Sequence, residues 1–287
     1  MGKKRQHSDD EASIRDIENS DGGASSGPES DFEKDLVDVD FEFFDPKPID
    51  FHAMKRLLIS SFGDDNEDFN ISELVDLILE QNTIGSTVKV EGDDDPYAFM
   101  TVLNMDVHKD KQVIKQIREY LLKKAEKAGK GGDLLDVLDG SGDVGLLLNE
   151  RVVNMPPQVV APMLTMLMEE LEWAIEDKEP YNFDYYLLLA PTYKDTAAIE
   201  DEDGSSSRRP KDKESLIDAY LHAEDEFIEE FAQVKFDYKF SRSKRVSESR
   251  NSFAETGVAP ARRCLIIHKS KIRALIDRLQ SALSPSS

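Results

Sequence analysis

The amino-acid sequence predicts an α/β (α+β) fold in which a mixed central β-sheet is flanked by helices. The first observation is the stretch from Gly142 to Asp177, where an apolar run at Val144–Leu148 leads through Pro156-Pro157 into a helix whose apolar residues recur at three- and four-residue spacing. The second is the alternation of apolar and polar residues from 234 to 240, which is typical of a half-buried strand. Strands and helices that alternate along one chain indicate a layered domain.

Periodicity and breaker residues place the elements in the order β-α-α-β-β-α-β-α-β-α-β-β-α. Strands are predicted at residues 39–44, 87–90, 97–105, 144–148, 183–189, 234–240 and 264–267. Helices are predicted at residues 50–63, 70–82, 110–127, 156–177, 216–231 and 272–279. A turn is expected at Asn149-Glu150-Arg151, before the double proline.

These elements predict one domain over residues 38–283. Mobile loops are expected near residues 129–142, 195–213 and 241–260, because small and charged residues replace the apolar pattern there. Residues 1–37 are rich in Ser, Gly, Asp and Glu and are predicted to form a disordered acidic tail, since they cannot bury enough apolar surface to offset the entropy of ordering. Within this tail, Lys3, Lys4 and Arg5 form a candidate nuclear import signal, although such short clusters also occur by chance.

The charge balance restricts the class of partner. The 287 residues include 59 acidic and 36 basic ones, and the net charge is −23. Direct binding of nucleic acid or of an anionic membrane is not expected, because both need clustered Lys and Arg, and no apolar run is long enough for membrane insertion. A basic protein partner is favoured, although many regulatory proteins are acidic for no specific purpose. The single cysteine, Cys264, indicates a reducing compartment.

Catalytic, cofactor and metal patterns are not found in the sequence. No dinucleotide fingerprint is present, and Gly129-Lys130-Gly131-Gly132 follows a predicted helix, so it is interpreted as a linker rather than a phosphate loop. No two histidines lie three or four residues apart, which argues against a metal site. Cys264 and Trp173 are interpreted as packing residues.

The order of one strand, two helices and a hairpin resembles the acetyltransferase fold of the GNAT type. That fold holds the pyrophosphate of acetyl-CoA on an [RQ]-x-x-G-x-[GA] turn between a central strand and a helix. The matching segment here, Asn149 to Gln158, reads N-E-R-V-V-N-M-P-P-Q, with no glycine and with two prolines that lack an N–H. The resemblance therefore implies the fold without its cofactor loop, and no cofactor is expected.

Two acidic clusters are candidates for contact with a basic partner. They consist of Asp93, Asp94 and Asp95, and of Glu224, Asp225, Glu226, Glu229 and Glu230. The alternative interpretation is a solvated loop and a solvated helix face without a binding role.

Several long segments resemble one protein family. The segment Asp143–Met163, D-V-G-L-L-L-N-E-R-V-V-N-M-P-P-Q-V-V-A-P-M, is similar to the signature segment of the BCCIP family, whose fungal members are called Bcp. Val37–Pro46, the helix Phe51–Leu58 that follows it and Phe183–Tyr193 also resemble that family. The similarity extends over about residues 37–283, and the spacing favours the fungal branch.

The resemblance implies a nuclear, non-enzymatic protein that works by binding others. Fungal relatives suggest an acidic escort that chaperones a basic large-subunit ribosomal protein, with a role in nuclear export and ribosome biogenesis. Nuclear transport factors are additional candidate partners, and shuttling to the cytoplasm is an open alternative to a fixed nuclear location. Animal relatives suggest a second function, a cell-cycle or DNA-repair adaptor, and the topology alone suggests a third, a cryptic acyltransferase.

Overall fold

The computed structural model describes residues 40–81, 83–195, 218–242 and 258–284. The predicted acidic tail at 1–37, which contains Lys3, Lys4 and Arg5, lies outside the described residues, as do 196–217 and 243–257 in the two predicted loops. Within the described residues, no helix is long and apolar enough to cross a membrane.

Strands and helices alternate along the chain. The strands are β1 (Phe41–Phe44), β2 (Ser86–Val90), β3 (Ala98–Asn104), β4 (Asp143–Arg151), β5 (Phe183–Asp195), β6 (Asp218–Tyr220), β7 (Val234–Lys239) and β8 (Val258–His268). The helices are α1 (Phe51–Phe62), α2 (Ile71–Leu79), α3 (Gln112–Lys127), α4 (Gly131–Leu138), α5 (Val160–Glu176), α6 (Glu224–Glu229) and α7 (Ile272–Leu283).

The strands form one mixed sheet in the order β1-β2-β3-β4-β5-β8-β7, and β6 pairs separately with β5. Of the pairs that the structure describes, only β4 and β5 are parallel. Two helices follow β1, and β2 and β3 form a hairpin, as the acetyltransferase-like resemblance implies. The predicted class, a mixed sheet flanked by helices, is confirmed.

Helices cover both faces of the sheet. Phe99 and Leu103 of β3 point into a core shared with α1 to α4, whereas Met100 and Val102 point into a core shared with α5 to α7. Because successive side chains of a strand point to opposite faces, β3 is apolar along nearly its whole length and is buried on both sides.

The central helix α5 buries most of the face that its period predicts, whereas Ile175 near its C-terminal end is 41% exposed. Met163, Leu164, Leu167 and Leu171 lie in the core with almost no exposure. The interpretation of Trp173 as a packing residue is wrong, because its side chain is 64% exposed on the outer face.

Three local predictions are corrected by long-range packing. The expected loop at 129–142 contains α4, whose Leu134, Val137 and Leu138 complete a core beside α3. The expected turn at Asn149-Glu150-Arg151 continues β4, because these residues pair with β3. The described part of the expected helix at 216–231 forms β6 and then the short helix α6.

Candidate functional site

The sheet splits at the end of its parallel pair. β4 and β5 pair from Asp143–Phe183 to Leu147–Leu188. Beyond this point β4 continues beside β3 as far as Arg151, while β5 continues beside β8 as far as Asp195. The split lies next to the segment that would correspond to a cofactor loop in the acetyltransferase-like fold. The residues that occupy the split therefore decide whether a ligand can bind there.

The chain fills this split with its own residues. β6 pairs with β5 at Thr192, Tyr193 and Lys194. Because β8 already occupies the other edge of β5 along this length, β6 lies on the edge that β4 leaves. The N–H of Leu221 then donates to the carbonyl of Pro191 at 3.0 Å. The segment 218–225 thus closes the space between the separated strands.

Six ionisable side chains are buried where this segment meets β4 and β8. We call them the buried charge cluster: Glu150, Arg151, His222, Glu224, Asp225 and Arg262. Arg151 donates to Glu224 through its two terminal guanidinium nitrogens, Nη1 and Nη2, and the contact from Nη2 to Oε2 is 3.0 Å. Glu224 is fully buried and the side chain of Arg151 is 4% exposed. Two parallel charge-assisted hydrogen bonds hold this pair together.

Arg262 links the cluster to α1. Its Nη2 donates to the carbonyl of Ser60 at 3.1 Å, and its Nη1 donates to the carbonyl of Leu189 at 3.4 Å. Its positive charge also faces the carboxyl of Glu150, which accepts a hydrogen bond from Ser61. The cluster therefore connects α1, β4, β5, β8 and α6.

Burial shifts the protonation of the acids and of the histidine. It raises the pKa of Glu150 to about 7, against the smaller lowering effects of Arg262 and Ser61. Burial and the neighbouring Glu224 raise the pKa of Asp225 well above its usual range, and Asp225 Oδ2 has no hydrogen-bond partner among the described residues. Burial, together with Arg151 and Arg262, lowers the pKa of His222 to about 3, so this ring is neutral.

These shifts predict an unusual pH dependence of stability. Between its unfolded pKa near 4.5 and its folded pKa of about 7, Glu150 binds more proton in the folded chain. Its contribution to the free energy of unfolding therefore falls as pH rises through this window, by about 3 kcal/mol at about 1.36 kcal/mol per pKa unit. Because folding lowers the pKa of His222, this residue acts in the opposite direction between its folded pKa of about 3 and its unfolded pKa near 6.5.

The variant Glu150→Gln separates the pH dependence that comes from Glu150 from that which comes from His222. Compared with the wild type, it should gain about 3 kcal/mol of relative stability as pH rises through the Glu150 window. Urea denaturation of both proteins at a series of pH values measures this difference. The control Glu119→Gln changes an exposed carboxyl on α3 and should show no such trend. If the free energies of unfolding of the wild type and Glu150→Gln differ by the same amount at every pH, the raised pKa of Glu150 is contradicted.

The segment after β4 does not fit the pyrophosphate of acetyl-CoA. The N–H of Val152 donates to Tyr97 and that of Met155 donates to Val152, at 2.9 and 3.0 Å. Pro156 and Pro157 have no N–H to offer. A phosphate cradle needs several free N–H groups that converge on one point. Val152, Met155, Pro156 and Pro157 therefore offer no N–H to a phosphate, and the adjacent split is closed.

An open groove lies on the outer side of the buried charge cluster. This acidic groove has a volume of about 580 Å³ and lies between α1, the β2–β3 turn and the end of β4. Its lining includes Asp93, Asp95 and Tyr97 together with Val152 and Val153. Two arginines also line it, Arg56, which pairs with Asp95, and Arg151, which pairs with the buried Glu224. Val153 is 66% exposed. The groove thus combines carboxylates with exposed apolar surface.

Two residues of the first acidic cluster, Asp93 and Asp95, line this groove, and Asp94 lines the neighbouring cavity beside β1 and β2. Asp93 accepts hydrogen bonds from the Tyr97 hydroxyl at 2.7 Å and from the N–H of Asp95 at 3.0 Å, and these bonds lower its pKa. Asp95 pairs with Arg56 at 2.6 Å, and both side chains are more than half exposed. Asp94 is exposed, and within the described residues it forms no ion pair. All three carboxylates can therefore be approached from solvent.

The second acidic cluster is not one exposed surface. Glu224 and Asp225 are buried, so their interpretation as partner-binding residues is wrong for this conformation. Glu229 accepts hydrogen bonds from Tyr220, Lys235 and Arg263, which lower its pKa to about 2 against the raising effect of burial. Glu230 pairs with Arg278 at 3.1 Å, and Glu226 is exposed. Three of its five residues, Glu224, Glu229 and Glu230, form ion pairs within the fold.

Sequence reasoning missed the buried charge cluster because its members lie far apart along the chain. Arg151 and Glu224 are separated by 73 positions. One local signal was present, since Arg262-Arg263 directly precedes the apolar run of β8 and Glu150-Arg151 follows that of β4 after Asn149 alone. Among the described residues, no group of His, Cys, Asp or Glu side chains is arranged to hold a metal ion.

Comparison with known proteins identifies the family. The family model described as BCCIP matches residues 36–228. The chain is 39% identical to the protein bcp1 of Aspergillus oryzae, with 99% of both chains covered. It is 40% identical to bcp1 of Schizosaccharomyces pombe, with 87% of this chain and 92% of the relative covered.

A solved structure supports the same relationship at the level of the fold. The crystal structure of BCP1 from Saccharomyces cerevisiae superposes with a TM-score of 0.60 at 24% identity, covering 88% of this chain and 92% of that one. The sequence matches confirm the resemblance of the signature segments and show that the chain belongs to the BCCIP family.

Proposed function

We propose that this chain is a non-enzymatic escort that binds a basic client, a large-subunit ribosomal protein, in the nucleus and takes part in its export and in ribosome biogenesis. The observation that carries the proposal is the closed split beside an open acidic groove. The chain's own segment 218–225 occupies the space next to the segment that would hold a cofactor, while Asp93, Asp94 and Asp95 remain on the surface.

The chemistry of the groove supports a basic protein rather than a small molecule. Carboxylates on its rim attract Lys and Arg and speed the encounter with a basic partner. The adjacent Val152 and Val153 offer apolar contact that a purely ionic surface lacks. The net charge of −23 extends this attraction over the whole molecule.

The test uses basic proteins extracted from large ribosomal subunits. The triple variant Asp93→Asn/Asp94→Asn/Asp95→Asn should bind them about tenfold more weakly at low salt, because each lost rim charge reduces affinity by a modest factor. A calorimetric or anisotropy titration at rising salt measures the change.

The control is a variant with the same change in charge elsewhere. Glu119→Gln/Glu126→Gln/Asp136→Asn removes three exposed carboxyls from α3 and α4, and we call it the α3–α4 control. It should retain most of the wild-type affinity. Equal losses in the two variants contradict a role for the groove, and wild-type protein that binds no basic ribosomal protein contradicts the proposed function.

A further inference from the structure

The exposed Trp173 lies on a strongly acidic helix face. Its side chain is 64% exposed, although tryptophan is usually buried to a large extent. Glu169 and Glu170 lie one turn before it, and Glu176 and Asp177 lie one turn after it. Residues three and four positions apart are neighbours on a helix surface, so carboxylates flank the indole on both sides. We call these residues and Glu172 the α5 face.

The α5 face has no basic residue of its own. No Lys or Arg occurs in α5, and the first one after it is Lys178. Within the described residues, Glu169, Glu172, Glu176 and Asp177 form no ion pair. Glu170 is turned toward the sheet, where it accepts a hydrogen bond from the N–H of Gly85 at 2.7 Å. Most of these carboxylates are therefore free to bind a cation.

The arrangement works against the stability of the helix itself. Glu172 and Glu176 are like charges at i and i+4, and Glu169 and Glu172 are like charges at i and i+3. The acids also cluster at the C-terminal end, where the helix dipole favours cations. In contrast, α3 carries Lys124 and Lys127 in its last turn. A cationic partner would remove this repulsion in α5.

We propose that the α5 face binds an arginine-rich segment of the basic client. The inference rests on the proposed function, because it assigns a second contact surface to the same partner. A guanidinium group can stack on the indole of Trp173 and at the same time form two hydrogen bonds with a flanking carboxylate. Lysine offers a compact charge without a planar surface, so arginine fits this face better.

The α5 face is separate from the acidic groove. Trp173 lies near the C-terminal end of α5, about 20 Å along the helix axis from Val160 at about 1.5 Å per residue, and no residue of α5 lines the groove. Variants of the two surfaces can therefore be tested independently.

The experiment uses the full chain and two synthetic peptides of equal length, alternating Arg-Gly and Lys-Gly. Trp173 is the sole tryptophan, so its fluorescence reports binding at this face. The arginine peptide should change the emission of Trp173 and bind several-fold more tightly than the lysine peptide. In anisotropy titrations with labelled peptide, Trp173→Ala should bind about tenfold more weakly, as expected for an aromatic residue at the centre of an interface.

Two further variants and two controls separate the contributions. Trp173→Phe should show an intermediate affinity, because phenylalanine is a weaker partner for cations than tryptophan. Glu169→Gln/Glu172→Gln/Glu176→Gln should lose affinity mainly at low salt. Leu135→Ala removes an exposed apolar side chain from α4 and should bind like the wild type, as should the α3–α4 control. Because Trp173 is exposed, the thermal midpoints of Trp173→Ala and Trp173→Phe should equal that of the wild type.

Three results would overturn the inference. The first is equal affinity of Trp173→Ala and the wild type for the arginine peptide, and the second is equal affinity of the wild type for the two peptides. The third is self-association of the wild type that Trp173→Ala abolishes, because a second copy of the chain would then be the occupant of the α5 face. Binding of extracted ribosomal proteins is measured in parallel. Client binding unaffected by Trp173→Ala contradicts the inference alone, whereas a wild type that binds no client contradicts the proposed function as well.

Discussion

Replacing Arg151 with alanine is expected to lower the free energy of unfolding by about 3–5 kcal/mol, because the carboxylate of Glu224 would remain buried without its partner. Glu224 is fully buried, and its two oxygens accept from the two terminal nitrogens of Arg151. Burial raises the pKa of Glu224 and Arg151 opposes this effect. Without the guanidinium, the acid must take up a proton or draw water into the split.

The expected loss is also a test of how the split is closed. Arg151 belongs to β4, whereas Glu224 begins α6 directly after β6. Loosening this pair should expose segment 218–225 before the rest of the sheet. Hydrogen exchange should therefore increase first at the N–H of Leu221, which donates to Pro191 across the split.

Two variants serve as references for this prediction. Arg56→Ala removes an exposed ion pair with Asp95 and should cost no more than about 1 kcal/mol. Arg151→Met/Glu224→Leu removes both charges and should recover most of the lost stability, since well-packed apolar residues often replace a buried ion pair at little cost. Urea denaturation measures all of them, and a single Arg151→Ala variant as stable as Arg56→Ala would refute the proposed role of the pair.

The parts of the fold that follow from local pattern were predictable. In α5 and in β7 the residues that face the core recur at the fixed spacing of a helix or a strand, so the buried faces could be assigned from the sequence. The spacing also holds the signal for Trp173. Trp173 lies two residues after the buried Leu171, which places it nearly on the opposite side of the helix. An exposed position could therefore have been inferred.

The parts that depend on distant partners were not predictable from one sequence. Glu224 and Asp225 look like a solvated acidic helix because Arg151, the charge that pairs with Glu224 in the interior, lies on another strand. The short helix α4 is flanked by glycines, and only its packing against α3 reveals its apolar face. Of the two acidic clusters, Asp93–Asp95 is the one whose residues are all exposed, since it forms the tip of a hairpin.

Substituting Asp65 with alanine is expected to cost a comparable 3–5 kcal/mol, about the value for breaking a buried pair. Asp65 is fully buried after the end of α1. It accepts hydrogen bonds from the N–H groups of Ser241 and Arg242 at 2.7 and 2.8 Å, from the Tyr120 hydroxyl at 2.8 Å and from Lys124 Nζ at 3.3 Å. The variant leaves the two N–H groups and the Tyr120 hydroxyl without this acceptor, and Lys124 loses its ion-pair partner, although its Nζ still donates to the carbonyl of Lys239 and to Ser241 Oγ.

Neighbouring positions provide the controls for Asp65. Asp64→Ala changes the adjacent exposed carboxyl and should be nearly neutral. Asp65→Asn keeps one acceptor oxygen but loses the charge, so its cost should lie between those of the two alanine variants. Urea denaturation gives the values, and hydrogen exchange at Ser241 and Arg242 shows whether the end of β7 is released.

The pH dependence distinguishes a charged role of Asp65 from simple packing. Burial raises the pKa of Asp65, but the hydrogen bonds from Ser241, Tyr120 and Arg242 and the charge of Lys124 lower it more, so the folded pKa lies below 3.8. A depressed pKa stabilises the folded chain above the unfolded value and loses this contribution as pH falls through the folded one. The difference between the wild type and Asp65→Ala should therefore shrink in acid. A difference that persists unchanged there would show that the side chain acts through its volume and not through its charge.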